Sequence, residues 1–177
     1  MGMAVDTPRK TRRSDASVKI SIVGFKQAKK GFTFLHSVAP DECRSCELLK
    51  TCMESLEPGR AYTVTKVRNK TFPCKVHDEG VRVVEVEEAN LQIAIEPRIS
   101  FPLATITVSS EGCRNLYCPN SRLCLPIGVL NGDKCKILEV KERLECPLKR
   151  PLVRVVVKRE PEQGQSPLPL SSSGTPR

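Results

Sequence analysis

Cys43-Arg44-Ser45-Cys46-Glu47-Leu48-Leu49-Lys50-Thr51-Cys52 sets three thiols within ten residues, and Cys74 follows after 21 intervening positions. The pattern, C-x2-C-x5-C-x21-C, returns as C-x4-C-x5-C-x21-C at Cys113, Cys118, Cys124 and Cys146. Three of the four cysteines recur at a shift of 72 residues, and so does a strand-like string: Val81-Arg82-Val83-Val84 is repeated as Val153-Arg154-Val155-Val156. Coincidence at several points along one shift defines a duplicated unit. Of the nine cysteines, only Cys135 stands outside the pattern.

The strand pattern recurs with the thiols. Val18 to Val23 alternates apolar and polar residues, as do Gly31 to His36, Tyr62 to Val67 and Val81 to Val86. Leu91 to Ile95, Ala104 to Val108, Lys136 to Val140 and Val153 to Val156 follow in the same order, with an Asn131-Gly132 turn between the second and third. Leu48, Leu49, Met53 and Leu56 predict a short helix from Glu47 to Leu56, ended by Pro58-Gly59. The expected fold is mainly β, with short helices at the cysteine segments: two tandem, related small β modules packed as one body. A disordered basic leader (1–17) precedes the first four-cysteine module (18–90); the second module (91–158) is followed by a disordered tail (159–177).

Composition agrees. The chain has 177 residues, and two modules of about 70 residues each sit near the lower size limit for an unaided core. With five Phe, two Tyr and no Trp, apolar content is carried by Val, Ile and Leu, which favours strands. Neither a secretory leader nor an apolar run of the roughly 20 residues needed to span a membrane is visible. The expected setting is the cytoplasm, with no membrane partner. Thiols there are reduced, so clustered cysteines read as metal ligands before disulfides, intracellular proteins of hyperthermophiles being the exception.

Twenty-nine basic residues against twenty acidic ones give a formal charge of +9. Two four-thiolate centres holding Zn²⁺ or a 4Fe–4S²⁺ cluster would each add two negative charges, bringing the core near neutral. The basicity alone is therefore a weak argument for nucleic acid. The run Arg9-Lys10-Thr11-Arg12-Arg13 fits a solvated leader or a phosphate-touching arm. Lys30-Gly31-Phe32-Thr33-Phe34 is superficially like an RNA-binding RNP motif, but Thr33 and Ser37 depart from it, and alternating Phe reads as core.

The expected metal ligands are Cys43, Cys46, Cys52 and Cys74 in one set and Cys113, Cys118, Cys124 and Cys146 in the other, the sulfurs of each set converging within ligand reach. Three clustered thiols plus a distant fourth suit an iron–sulfur cubane; four thiolates around a tetrahedral ion suit zinc. Both readings stand, and ligands crossing between modules are a further option. His77 lies three residues after Cys74, but its counterpart is Lys149, so it is read as surrounding structure rather than a ligand. His36 has Val108 as its counterpart and is not part of a repeated site. No Ser/His/Asp or Cys/His pairing is shared by both copies. Cys135, aligned with Thr63, is read as a packing residue.

The first thiol set, with Pro58-Gly59-Arg60-x-Tyr62, Lys66-Val67-Arg68-Asn69 and Pro73-Cys74-Lys75-Val76-His77-x2-Gly80-Val81-Arg82-Val83-Val84-Glu85-Val86-Glu87-Glu88, resembles an uncharacterised conserved archaeal protein family. The resemblance covers roughly residues 18–158, including the second thiol set. It implies an archaeal source and a cytoplasmic setting and carries no established activity. The functional expectation is a non-enzymatic metal-binding protein acting as an interaction module for nucleic acid or protein. The rival is an iron–sulfur redox or electron-transfer accessory protein.

Overall fold

The computed structural model describes residues 18–109, 113, 115 and 117–160; the expected leader 1–17 and the tail from 161 onward lie outside the described residues. Eight strands form two four-stranded sheets. The first contains β1 (Lys19–Gly24), β2 (Thr33–Leu35), β3 (Ala61–Phe72) and β4 (Val81–Glu88), in the order β1-β4-β3-β2. The second contains β5 (Leu91–Ile95), β6 (Thr105–Thr107), β7 (Lys134–Leu144) and β8 (Leu152–Arg159), in the order β5-β8-β7-β6. The orders are the same once counted from each module's first strand, so the fold is mainly β and duplicated, as the sequence predicts.

Most elements keep the 72-residue shift. The single-turn helices α1 (Leu49–Cys52) and α2 (Ser121–Cys124) begin and end 72 residues apart, as do β2 and β6, and the 3-10 turns Phe25–Gln27 and Pro97–Ile99. The long strands do not: β3 and β7 start 73 residues apart and end 72 apart. Hydrogen bonds locate the change. Gly59 N–H donates to His36 O at 2.7 Å and His36 N–H to Arg60 O at 2.8 Å; Gly132 N–H donates to Val108 O and Val108 N–H to Asp133 O, both at 2.8 Å. Gly59 therefore corresponds to Gly132, Arg60 to Asp133, and Tyr62 to Cys135. The counterpart of Cys135 is Tyr62, not Thr63: the second copy has an extra residue between α2 and β7 and one fewer in the strand.

The helix expected over Glu47–Leu56 is only Leu49–Cys52. Leu48 packs on a cluster with Ile22, Val81 and Val83, whereas Leu56 is buried with Tyr62, Val64 and Val84. One continuous helix cannot serve both clusters, so the chain turns after Cys52, where Ser55 Oγ donates to Thr51 O at 2.8 Å.

The chain divides into two compact units, one running to Phe34 and taking in Val38–Glu57 and Tyr62–Glu87, the other made of Leu35–Ser37, Pro58–Ala61 and everything from Glu88. In the first unit β1 runs antiparallel to β4 with Ile22 opposite Val83. Alternation along β4 sends Val81 and Val83 to one face and Val84 and Val86 to the other, and both faces are buried. Tyr62 is fully buried and its hydroxyl accepts from Glu57 N–H at 3.0 Å, so this polar atom is not left unpaired. Phe32 and Phe34 pack against the same core, which supports the core reading over an RNA-stacking role.

In the second unit β5 pairs antiparallel with β8, placing Ile93 opposite Val155. Ile93, Cys135, Ile137, Val153, Val155 and Val157 form its core. Each fully buried Val or Ile contributes about 1.5–3 kcal/mol relative to an exposed one. Arg60, buried, and Asp133, partly buried, form an ion pair in this unit. Arg159 pairs with Glu88 through two hydrogen bonds, one of them 2.9 Å from Nε, so the strand and its contacts pass the boundary expected before residue 159.

Candidate metal centres

In the first unit the three-thiol segment is a succession of tight turns. Cys43 ends the 3-10 turn Asp41–Cys43; Cys46 N–H donates to Cys43 O and Leu49 N–H to Cys46 O, both at 3.0 Å. Cys52 closes α1, where its thiol donates to Ile22 O at 3.6 Å. Cys74 lies just beyond β3, and Val76 N–H donates to its sulfur at 3.4 Å. Cys52 and Cys74 pack on the same cluster of Ile22, Val81 and Val83, so the distant fourth thiol comes to the face that carries Cys52.

The thiols feel one another. Burial raises the Cys52 pKa to about 11, and the charges of Cys43, Cys74 and Cys46 push it the same way. Burial also raises Cys43, with Cys74, Cys46 and Glu42 adding to it. All four cysteines of the first set belong to the first unit.

The second set repeats the arrangement. Ser121 N–H donates to Cys118 O at 3.0 Å and Cys124 N–H to Asn120 O at 3.2 Å. Asn120 Nδ2 donates to Glu145 O at 2.8 Å and so straps the three-thiol segment to the loop that bears Cys146. All four cysteines line one pocket, with Asn120, Leu148 and Arg150 among its other walls. Burial raises Cys124 most, followed by Cys113, Cys118 and Cys146, while the Arg150 guanidinium opposes them.

Each expected ligand set is thus gathered on one side of its unit. Among the described residues, no three His, Cys, Asp or Glu side chains stand together as a group able to hold a metal ion. The donor chemistry still suits a thiophilic metal, since each set offers four sulfurs and all nine cysteines are free.

His77 packs beside Gly24 at the end of β1. Its Nδ1 would lie 2.7 Å from a Cβ built on Gly24, so the bare glycine gives the ring its seat beside β1. His36 is buried, like its counterpart Val108. Cys135 is fully buried in the second core, opposite Ile106, as expected of a packing residue. Sequence reading missed Asn120 and Arg150; the available signal was their replacement by Leu48 and Asp78 in the first copy.

The fold and sites define a class: a duplicated β protein with a four-thiol set on each module. The profile of the Uncharacterised protein family (UPF0179) matches residues 19–157, and the chain belongs to this family. A UPF0179 protein of Pyrococcus furiosus is 41% identical over 128 residues, covering 72% of this chain and 87% of its own length. One from Methanocaldococcus jannaschii is 36% identical over 140 residues, covering 78% and 93%. Another from Methanothermobacter thermautotrophicus is 35% identical over 142 residues, covering 78% and 96%. These archaeal relatives accord with the resemblance read from the motifs. No solved structure matches the chain. Among the described residues, no helix is long and apolar enough to cross a membrane.

Proposed function

We propose that this protein binds two metal centres, one on each four-thiol set, and that these centres fix short loops for contact with a partner. The observation that carries the reading is the gathering of Cys52 and Cys74, 22 positions apart in sequence, on one apolar cluster, repeated by four cysteines around one pocket in the second unit. Small β modules with few aromatics gain from such centres, because metal binding energy becomes folding energy. Thiols set around a pocket rather than closed on a point favour a 4Fe–4S cluster over a single zinc ion.

Anaerobic purification followed by an absorption spectrum and elemental analysis tests the proposal. Two clusters give a brown protein with about four iron and four sulfide per site. Colourless protein with one zinc per set keeps the binding role and replaces the cluster with zinc. Protein carrying neither metal after anaerobic, chelator-free preparation overturns the reading.

The exposure of Cys46 favours a second reading, electron transfer, because it opens one edge of the first centre to solvent. Reversible bleaching by dithionite with a defined potential supports it; zinc at both sites removes it.

A further inference from the structure

The two thiol sets sit in different electrostatic surroundings. Beside the first stand Asp41, Glu42 and Glu47, and its fourth-thiol loop reads Cys74-Lys75-Val76-His77-Asp78. The second loop reads Cys146-Pro147-Leu148-Lys149-Arg150. At equivalent positions Lys149 replaces His77, Arg150 replaces Asp78, Arg122 replaces Lys50, and Tyr117 replaces Ser45. Over the described residues the first unit holds eleven basic and nine acidic side chains, a net +2, and the second twelve and seven, a net +5. Subtracting two charges for a loaded four-thiolate centre leaves the first unit near zero and the second clearly positive. Much of the excess lies on the two segments that meet at the second pocket.

Those segments offer more than charge. Tyr117 is fully exposed beside Cys118, and Leu148 is exposed beside Lys149. Arg122 follows Ser121, while Ser121, Leu148 and Arg150 share the pocket wall. Asn120 straps the two segments together. Glu145 is the only acidic residue within 117–124 and 145–150. Cations that track phosphates beside an aromatic ring that stacks on a base are the recurring means of holding a single strand.

We propose that the face around the second thiol set, built from Tyr117, Arg122, Lys149 and Arg150, binds single-stranded nucleic acid. This deepens the metal-centre reading and rests on it, since the centre would hold both segments in place. The first unit's thiol face, with His77, Asp78 and Ser45 at the matching positions, lacks this surface.

The test is fluorescence anisotropy of the full, metal-loaded chain with a short labelled oligouridylate, the matching oligothymidylate and a duplex, over a range of salt, with metal content measured on the same samples. Single strands bind and the duplex binds more weakly; whichever of the two single strands binds tighter identifies RNA or DNA as the ligand. Replacing Lys149→His with Arg150→Asp, which copies the first unit, weakens binding at least about tenfold and lowers the salt slope by about 1.4, at about 0.7 per phosphate contact. Tyr117→Ser costs about fivefold or more with the salt slope unchanged. Changing Arg9, Lys10, Arg12 and Arg13 together to alanine leaves binding intact. The proposal fails if the native chain binds no single strand, which would redirect the search to a protein partner. It also fails if binding is carried by the leader, or if the swapped variants bind normally. Metal loss in the native chain counts against the metal centre, whereas normal metal with absent binding counts against this surface alone.

Discussion

Arg60 and Asp133 hold the same place in the two copies, and they pair with each other. Each precedes its long strand and offers its carbonyl to the edge segment, Arg60 to His36 and Asp133 to Val108, at 2.8 Å in both cases. Their side chains are 7% and 11% exposed, so the pair is well removed from water. Asp133 also accepts from Leu130 N–H at 2.6 Å, which closes the turn before β7. Duplication would place like residues at both positions; the opposite charges allow them to join.

A buried pair is costly to break from one side because a charge is left behind. Arg60→Met is expected to destabilise by about 3–5 kcal/mol. Adding Asp133→Asn should recover part of that loss, since the neutral amide still accepts from Leu130 N–H. Urea unfolding of the single and double variants measures both effects. No recovery in the double variant would mean that Arg60 acts through packing rather than through its partner.

Cys135 makes a prediction about alkaline pH. Burial raises its pKa to about 11, helped by Asp133 and Glu88 and opposed by Arg159 and Arg60. The unfolded chain releases this proton near the ordinary thiol value of 9.0. Between these values the folded state holds a proton that the unfolded state has lost, so stability present below pH 9 declines as pH rises toward 11. Cys135→Ala should flatten that part of the stability curve at the cost of a lower plateau. Cys135→Ser should leave metal content unchanged. An unaltered alkaline slope in the alanine variant would assign the decline to other groups.

The 72-residue shift exposed the strand order, the helical thiol segments and both four-cysteine sets, because cysteines and valines mark positions that local chemistry fixes. It could not reveal the one-residue change between Cys124 and Gly132. A loop absorbs an extra residue without disturbing the apolar alternation on either side, and Cys135 was therefore matched with Thr63. Helix length was misread for a different reason: the spacing of Leu48 and Leu56 fits one helix face, yet each leucine packs on a different cluster. Arg150 is not legible in the sequence because it comes near Cys124 only when the Cys146 loop folds back, a long-range contact that spacing does not disclose.

Gly31 and Leu103, which are repeat partners, share a left-handed backbone with φ of 85° and 65°. Their N–H groups donate to Val64 O and Ile137 O at 2.8 and 2.9 Å, so both copies require this turn. The conformation suits glycine and costs another L-residue about 1–2 kcal/mol. A Cβ on Gly31 would meet no atom within 4 Å, so Gly31→Ala should show the backbone cost alone, about 1 kcal/mol. Leu103 is 69% exposed and has little packing to lose, so Leu103→Gly should be neutral or slightly stabilising. Thermal unfolding reads the pair; a marked loss in Leu103→Gly would show that its side chain contributes more than its exposure indicates.

The thiols themselves supply the decisive comparison. Cys52 and Cys124 close the equivalent helices α1 and α2, and burial is the first cause of the raised pKa at each. If each is a ligand, replacing it with serine removes a soft donor and leaves three thiols gathered around a weakened site. Cys52→Ser and Cys124→Ser should then each lose one of two centres and destabilise by several kcal/mol, more than the roughly 1 kcal/mol of a typical point mutation. The double variant should lose both centres. Metal analysis and thermal unfolding on the same preparations separate the alternatives. Loss of stability with full metal content would make these cysteines packing residues like Cys135. Loss of one centre with unchanged stability would keep them as ligands but remove the metal from the folding energetics.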